Sequence, residues 1–397
     1  CFYLPAKLPG CHTYNRVIPP QTYFEAHPEW FPQLNGKRVP NTLLSGQLCV
    51  TADGLADEFA RNIVALFDAD PQCRITSISP NDGYGWCECE RCLKLDQELC
   101  GGRSTRQGLS SDKPFMGDRV FWFANEVARR VAVKYPDRLL LVLAYVNYAE
   151  PPDTVRPLPN VVPYLCHYAP ADYAHAIADP ASEPNVLFDG LLRRWVGIAP
   201  HLQIYSYVSK SMWWRLPRPV LRTSAEDIRH YHGLGVRRYY CQSTLSDWTL
   251  DGPLYYVVAR MLWDPAADPQ DLAADWTAHM FGAAAPAVLE FYGAVEAAVR
   301  ATGRPYSDSP PRQVPGLYAA AELDRAEAAL ARAAQLADSD LTRGRVKAVS
   351  DLFGYGRHLI RAIEAADRFR TEGDLAAAAA ARREGDLALA STRDPDV

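Results

Sequence analysis

The sequence predicts an α/β fold, a (β/α)8 TIM-type barrel incomplete at its N-terminal end, with a C-terminal α-helical region. Three observations carry this prediction. From about Ile75 to Pro265, short β-rich runs alternate with amphipathic helical stretches, the pattern of parallel strands joined by helical crossovers. After Asp264 and Pro265 the chain turns Ala-, Leu- and Arg-rich with a helical period. A length of 397 residues at 48% apolar content is enough to bury a large core. The expected organisation is a barrel over 1–265 and a helical region over 266–397.

Taken in chain order, the stretch Gly10–Arg38 is irregular and dense in polar and aromatic groups, with Pro19, Pro20 and Pro28 fixing an extended path. Long irregular segments in compact enzymes often contact substrate, which makes His12 and Tyr14 binding candidates. His27 and Glu29 do not reproduce the His-Glu-x-x-His metal pattern. Asp57–Phe67 reads as a helix through Phe59, Ile63, Val64 and Phe67, and Asp118–Tyr135 through Phe121, Val127, Ala128 and Val131. Expected strands are Arg74–Ser79, Leu139–Tyr145, Val161–His167, Leu202–Val208 and Val236–Gln242, short apolar or aromatic runs of the kind buried on both faces. They number fewer than eight, and the shortfall lies at the N-terminal end. Helices are expected over Asp268–Arg300, Leu317–Asp338, Leu341–Arg370 and Asp374–Ala390.

The sharpest chemical feature is Ser77–Cys92, SISPNDGYGWCECERC, in which Pro80, Asn81, Asp82 and Gly83 follow a strand end. In a barrel, loops after strands build the active site, so Asp82 is a candidate acid and Asn81 a candidate amide contact. Turn chemistry explains Asn-Asp-Gly equally well. Later strand ends add Tyr145 and Asn147, His167, Tyr207, and finally Gln242, Asp247 and Trp248. Asp247 is the second catalytic carboxylate expected, with Trp248 beside it as a sugar platform, and Asp251 and Glu150 are its rivals. Aromatic rings pack on the C–H faces of pyranoses, which gives the 21 Tyr and 9 Trp a use beyond core packing.

Cys87, Cys89 and Cys92 place three thiols within six residues, and Cys49 is the candidate fourth ligand of a closed tetrahedral structural zinc site. Ten cysteines in all keep disulfides open as the alternative in an exported protein. No cofactor is expected for catalysis. A net charge of −5 spread over mixed-sign residues announces no nucleic-acid partner, and no apolar run is long enough to span a membrane. Dinucleotide, Walker and Gly-x-Ser-x-Gly signatures are missing, so nucleotide-cofactor and serine-hydrolase chemistry lose their support. The chain starts at Cys1 without an initiator Met, as a mature or truncated form would.

His27-Pro-Glu-Trp, Asn35-Gly-Lys-Arg, Gln47-Leu-Cys, Ser79-Pro-Asn-Asp-Gly with Cys87-x-Cys-x-x-Cys, and Tyr255-Tyr…Ala259-Arg…Leu262-Trp-Asp-Pro together resemble the bacterial domain-of-unknown-function family 4838, from Gly10 to Tyr292. That family is similar to barrel glycosidases of the α-glucuronidase and β-hexosaminidase kinds. The resemblance implies an oligo- or polysaccharide substrate and an extracellular or periplasmic location, with the cytoplasm as the alternative. The expected function is a glycoside hydrolase using Asp82 and Asp247. The alternatives are a non-catalytic carbohydrate-binding barrel, and a polysaccharide lyase with Tyr145 or His167 as base.

Overall fold

A computed structural model describes residues 11–106, 112–168, 171–209, 216–243, 248–307 and 310–391. The chain forms two compact units. The first comprises Cys1–Pro170, Leu187–Tyr205 and Leu234–Tyr240, and the second Ala171–Val186, Ser206–Gly233 and Cys241–Val397.

The first unit holds most of a parallel sheet whose strands run in sequence order: β1 (Ile75–Ser77), β2 (Leu139–Ala144), β3 (Val161–Cys166), β4 (Gln203–Ser209) and β5 (Arg238–Ser243), the last residues of β4 and β5 being counted with the second unit. All five expected strands are present. Register pairs Thr76 with Leu140, Leu141 with Val162, and Leu165 with Ile204. Every residue of β3, and all but the first of β2, is buried, which is why these runs are continuously apolar rather than alternating. The sheet curls as a half-barrel, and among the described residues it does not close into the eight-stranded barrel that the sequence pattern suggests.

Helix α1 (Leu55–Ala69) places Phe59, Ile63 and Phe67 at four-residue spacing, and all three are completely buried. It packs on α3 (Gly117–Ala132), where Phe59 and Phe123 meet edge to face at 5.4 Å. Between them lies α2 (Glu90–Cys100), which the sequence reading missed because its outward face is highly polar. Helix α4 (Glu183–Ile198) was missed also, and its Trp195 donates to the Ala149 carbonyl at 2.8 Å from a fully buried position.

The second unit is helical: α5 (Leu221–Gly233), α6 (Trp248–Trp263), α7 (Pro269–Phe281), α8 (Ala285–Arg300), α9 (Ala320–Leu336), α10 (Asp340–Glu372) and α11 (Leu375–Ser391). Asp268 caps α7 by accepting from the Gln270 and Asp271 amides, and Ser339 caps α10 through the Thr342 amide at 3.1 Å. Gly373, at φ +70°, ends that 33-residue helix and lets α11 fold back on it. No described helix is long and apolar enough to cross a membrane.

Candidate active site

The site forms where β1, β2 and β3 end. Past Ser77 the chain stays extended to Ser79, whose Oγ accepts from the Leu143 amide at 2.9 Å. On the other side of β1, the segment Cys11–Thr13 docks parallel to it: His12 bridges Ser79, and the Thr13 amide donates to the Ser79 carbonyl at 3.1 Å. This sets His12 beside Pro80. Its Nδ1 lies 2.7 Å from the Pro80 carbonyl oxygen, which can only accept, so Nδ1 carries the proton and Nε2 keeps a lone pair. Nε2 lies 3.6 Å from Asp82 Oδ1. Burial pushes the imidazole below its ordinary 6.5, against the opposing pulls of the Pro80 carbonyl and the Asp82 charge, so the ring is neutral at pH 7.

Asp82 itself is half-exposed, its side chain 40% accessible, and its amide donates to the Leu43 carbonyl at 2.8 Å. Gly83 follows at φ +90°, and a Cβ there would fall 2.9 Å from the Leu44 oxygen. Turn chemistry and presentation of the acid are therefore one device.

Asn81 corrects the sequence reading. Expected in the open mouth, it is completely buried, because successive side chains of an extended segment point to opposite sides. Its Nδ2 donates to the Gly46 carbonyl at 2.9 Å and its Oδ1 accepts from the Asn15 amide at 2.8 Å. Its main chain is clasped by Gln47, whose Oε1 accepts from the Asn81 amide and whose Nε2 donates to the Asn81 carbonyl, both at 2.9 Å. Gln47 went unnoticed as a site residue, although a lone Gln before Leu48, Cys49 and Val50 was a visible signal of a buried amide with a partner. Gln47→Ala should cost about 2–4 kcal/mol, since two buried main-chain groups lose their partner. A fall in the urea midpoint measures this, and an unchanged midpoint would show the clasp to be dispensable.

Tyr145 follows β2 directly. Its ring centroid lies 5.8 Å from His12 and 5.3 Å from Tyr168, which follows β3. Burial holds the Tyr145 phenol well above its ordinary range, so it keeps its proton at neutral pH. The structure thus brings together His12, Asp82 and Tyr145, with Tyr168 added.

Other candidates belong elsewhere. Tyr14 is 1% exposed and sits edge-on to Phe59 and Phe123, each at 5.7 Å, as core. Asn147 is buried and donates to the Pro114 carbonyl at 2.7 Å, tying down the approach to α3. His167 is buried against Phe188 of α4, with ring centroids 4.3 Å apart, away from the open mouth. Glu150 is buried with Arg103 Nη1 at 3.2 Å, an internal ion pair. Tyr207 and Gln242 fall in the second unit, the first buried and the second half-buried. Asp247 lies outside the described residues, as does the side chain of Trp248, the first residue of α6.

The four predicted cysteines do converge: Cys49, Cys87, Cys89 and Cys92 are all buried, with their sulfurs within 4.8 Å of one another. In the second unit, a cavity of about 270 Å³ is walled by apolar side chains, including Pro253, Leu254 and Phe291, and its Glu296 carboxylate accepts from the Arg222 amide at 2.9 Å. Its apolar lining makes it a weaker candidate for acid–base chemistry than the strand-end site.

A curled parallel sheet with its acid at the carboxyl ends of the strands defines a protein of the barrel-related α/β class. A solved structure of similar fold is a family GH115 4-O-methyl-α-glucuronidase with specificity for decorated arabinogalactans, at 10% identity and a TM-score of 0.50, over 86% of this chain and 44% of that one. The chain belongs to the family described as Domain of unknown function (DUF4838), which it matches over residues 3–293. A GH138 enzyme targeting pectin rhamnogalacturonan II also aligns, at 10% identity and a TM-score of 0.27, over 84% of this chain and 57% of that one. This chain spans less than half of the GH115 structure. No curated protein matches it.

Proposed function

We propose that the chain is the acid-bearing part of a glycoside hydrolase, with Asp82 and His12 sharing the proton that is delivered to the glycosidic oxygen. The observation that carries this reading is the pairing of a half-exposed carboxylate with an imidazole whose lone pair lies 3.6 Å away, at the ends of parallel strands. Nδ1 is committed to Pro80, so only Nε2 can exchange a proton with Asp82. With one proton between them, the pair is an acid. With none, it has nothing to donate.

Tyr145 and Tyr168 supply aromatic faces for a pyranose beside this acid, and the Tyr145 hydroxyl supplies a hydrogen-bond donor. Hydrolysis needs a second group on the opposite face of the sugar, either a carboxylate such as Asp247 or the substrate's own N-acetyl oxygen. The fold shared with a 4-O-methyl-α-glucuronidase makes decorated arabinogalactans the first substrates to try. A panel of aryl glycosides and polysaccharides, read by released reducing sugar, tests the reading. Saturable glycan binding with no product after long incubation would replace hydrolysis with a binding role, and an ultraviolet-absorbing unsaturated product would replace it with lyase chemistry.

The pH profile gives a second check. The singly protonated pair is lost as pH rises through the His12 titration, which burial places below 6.5. Turnover should therefore decline with rising pH along a limb centred below 6.5, and His12→Gln should abolish or displace that limb. A descending limb above 6.5, unaltered in His12→Gln, would remove His12 from the proton-sharing pair.

A further inference from the structure

We propose that Cys49, Cys87, Cys89 and Cys92 hold a structural zinc ion as four thiolates, which fastens the loop bearing Asp82 to the strap bearing Gln47. The proposal is independent of hydrolysis.

The argument begins with local structure. Cys89 is the N-cap of α2 and Cys92 lies in its first turn, so both sulfurs meet on one side of the helix start. Cys87 approaches from the extended segment before it, and Cys49 arrives from a strap some forty residues earlier. Cys49 Sγ lies 3.5 Å from Cys89 Sγ and 3.9 Å from Cys92 Sγ, and all four sulfurs fall within 4.8 Å of one another. A zinc ion bonded to four sulfurs at about 2.3 Å spaces them about 3.8 Å apart along the tetrahedron's edges. The observed cluster has that size.

The groups around the sulfurs distinguish thiolates from packed thiols. The Gln33 amide donates to Cys87 Sγ at 3.3 Å, and Arg38 Nη1 does so at 3.5 Å. The Thr51 hydroxyl lies 3.2 Å from Cys92 Sγ. Arg119, 2% exposed, donates to the Cys87 carbonyl at 2.9 Å and the Cys92 carbonyl at 3.2 Å. Zinc with four thiolates carries two net negative charges, and the Arg38 guanidinium with the N–H and O–H donors faces that buried anion, while Arg119, its charge matched by Asp96, fixes the backbone on which Cys87 and Cys92 sit. Other cysteines behave differently: Cys73, Cys100, Cys166 and Cys241 each direct S–H at a backbone carbonyl oxygen, as protonated thiols do.

Position gives the ion its role. Gln47 stands two residues before Cys49, and Gly85 two residues before Cys87. At and just before these points the strap donates two backbone bonds to the loop, Gly46 N to the Tyr84 carbonyl at 3.3 Å and Gln47 N to the Gly85 carbonyl at 2.8 Å. The ion closes the far end of the same ladder that the Gln47–Asn81 clasp closes at the near end.

Elemental analysis of the purified protein should find about one zinc per chain, and X-ray absorption should find four sulfur neighbours at about 2.3 Å. Cobalt exchanged into the wild-type protein should give the intense visible bands of a tetrahedral thiolate site. Cys92→Ser should lose the metal, while Cys73→Ser should retain it. In Cys92→Ser, amide exchange at Gly46 and Gln47 should quicken by about tenfold or more. Iron in place of zinc, two disulfides among the four cysteines by mass spectrometry, or four free thiols in metal-replete wild-type protein would each overturn the assignment. Unchanged exchange at Gly46 and Gln47 in a metal-free Cys92→Ser would overturn the fastening role.

Discussion

Asp82→Asn is expected to lower turnover by about 10²- to 10⁴-fold, the usual contribution of a positioned general acid. The amide keeps the size of the carboxyl but has no proton to give. The loss should be greatest on substrates with poor leaving groups and smallest on aryl glycosides that depart without protonation. Folding should hardly notice the change. The side chain is 40% accessible and its ion-pair partner among the described residues is His12, with Nε2 at 3.6 Å, while the turn is held by the Asp82 amide on Leu43, which the substitution preserves. Steady-state kinetics beside thermal melts separate the two effects. A variant with wild-type turnover would end the role of Asp82, and one that melts early would recast it as structural.

The largest stability effect should come from Arg119→Met. Arg119 lies in α3, 2% exposed, with Nε 2.8 Å from Asp96 Oδ1 and Nη2 paired to the other carboxylate oxygen. Its remaining donors hold the Cys87 and Cys92 carbonyls. Burial already pushes the Asp96 carboxyl up, with Arg119 pulling the other way. Methionine fills much of the arginine volume but leaves a buried carboxylate without its partner and removes the donor from the Cys87 carbonyl, a cost of about 3–5 kcal/mol. Denaturant titration measures it. In the double variant Arg119→Met with Asp96→Leu, which removes both charges, much of the loss should return. A single variant within about 1 kcal/mol of wild type would show that the pair is not what holds α2 against α3.

The fold was legible where burial on both faces leaves one solution. Runs such as Leu139–Ala144 are too apolar for an exposed element and too short for a helix of this length class, so all five strands stood out. Closure of the sheet was not legible, because an eight-stranded barrel and a half-barrel use the same strand-and-crossover pattern. The site was half legible. Asp82 announced itself by following a strand, and Tyr145 likewise, but Tyr14, Asn81, Asn147 and His167 have the same composition and position as mouth residues while pointing into the core. One-residue differences in facing decide between these fates, and periodicity is lost where strand becomes loop. The four cysteines converged as their spacing suggested, because a helix start fixes Cys89 and Cys92 on one side.

The docking of Cys11–Thr13 beside β1 has a consequence for solubility. The amide and carbonyl groups of Ser79 and its neighbours would otherwise form a bare sheet margin, open to pairing with another molecule. The segment that covers this margin is also the one that delivers the imidazole. Peeling it away would part His12 from Asp82 and uncover an adhesive backbone in the same event, so under the proposed reading a loss of turnover and the onset of aggregation should share one cause.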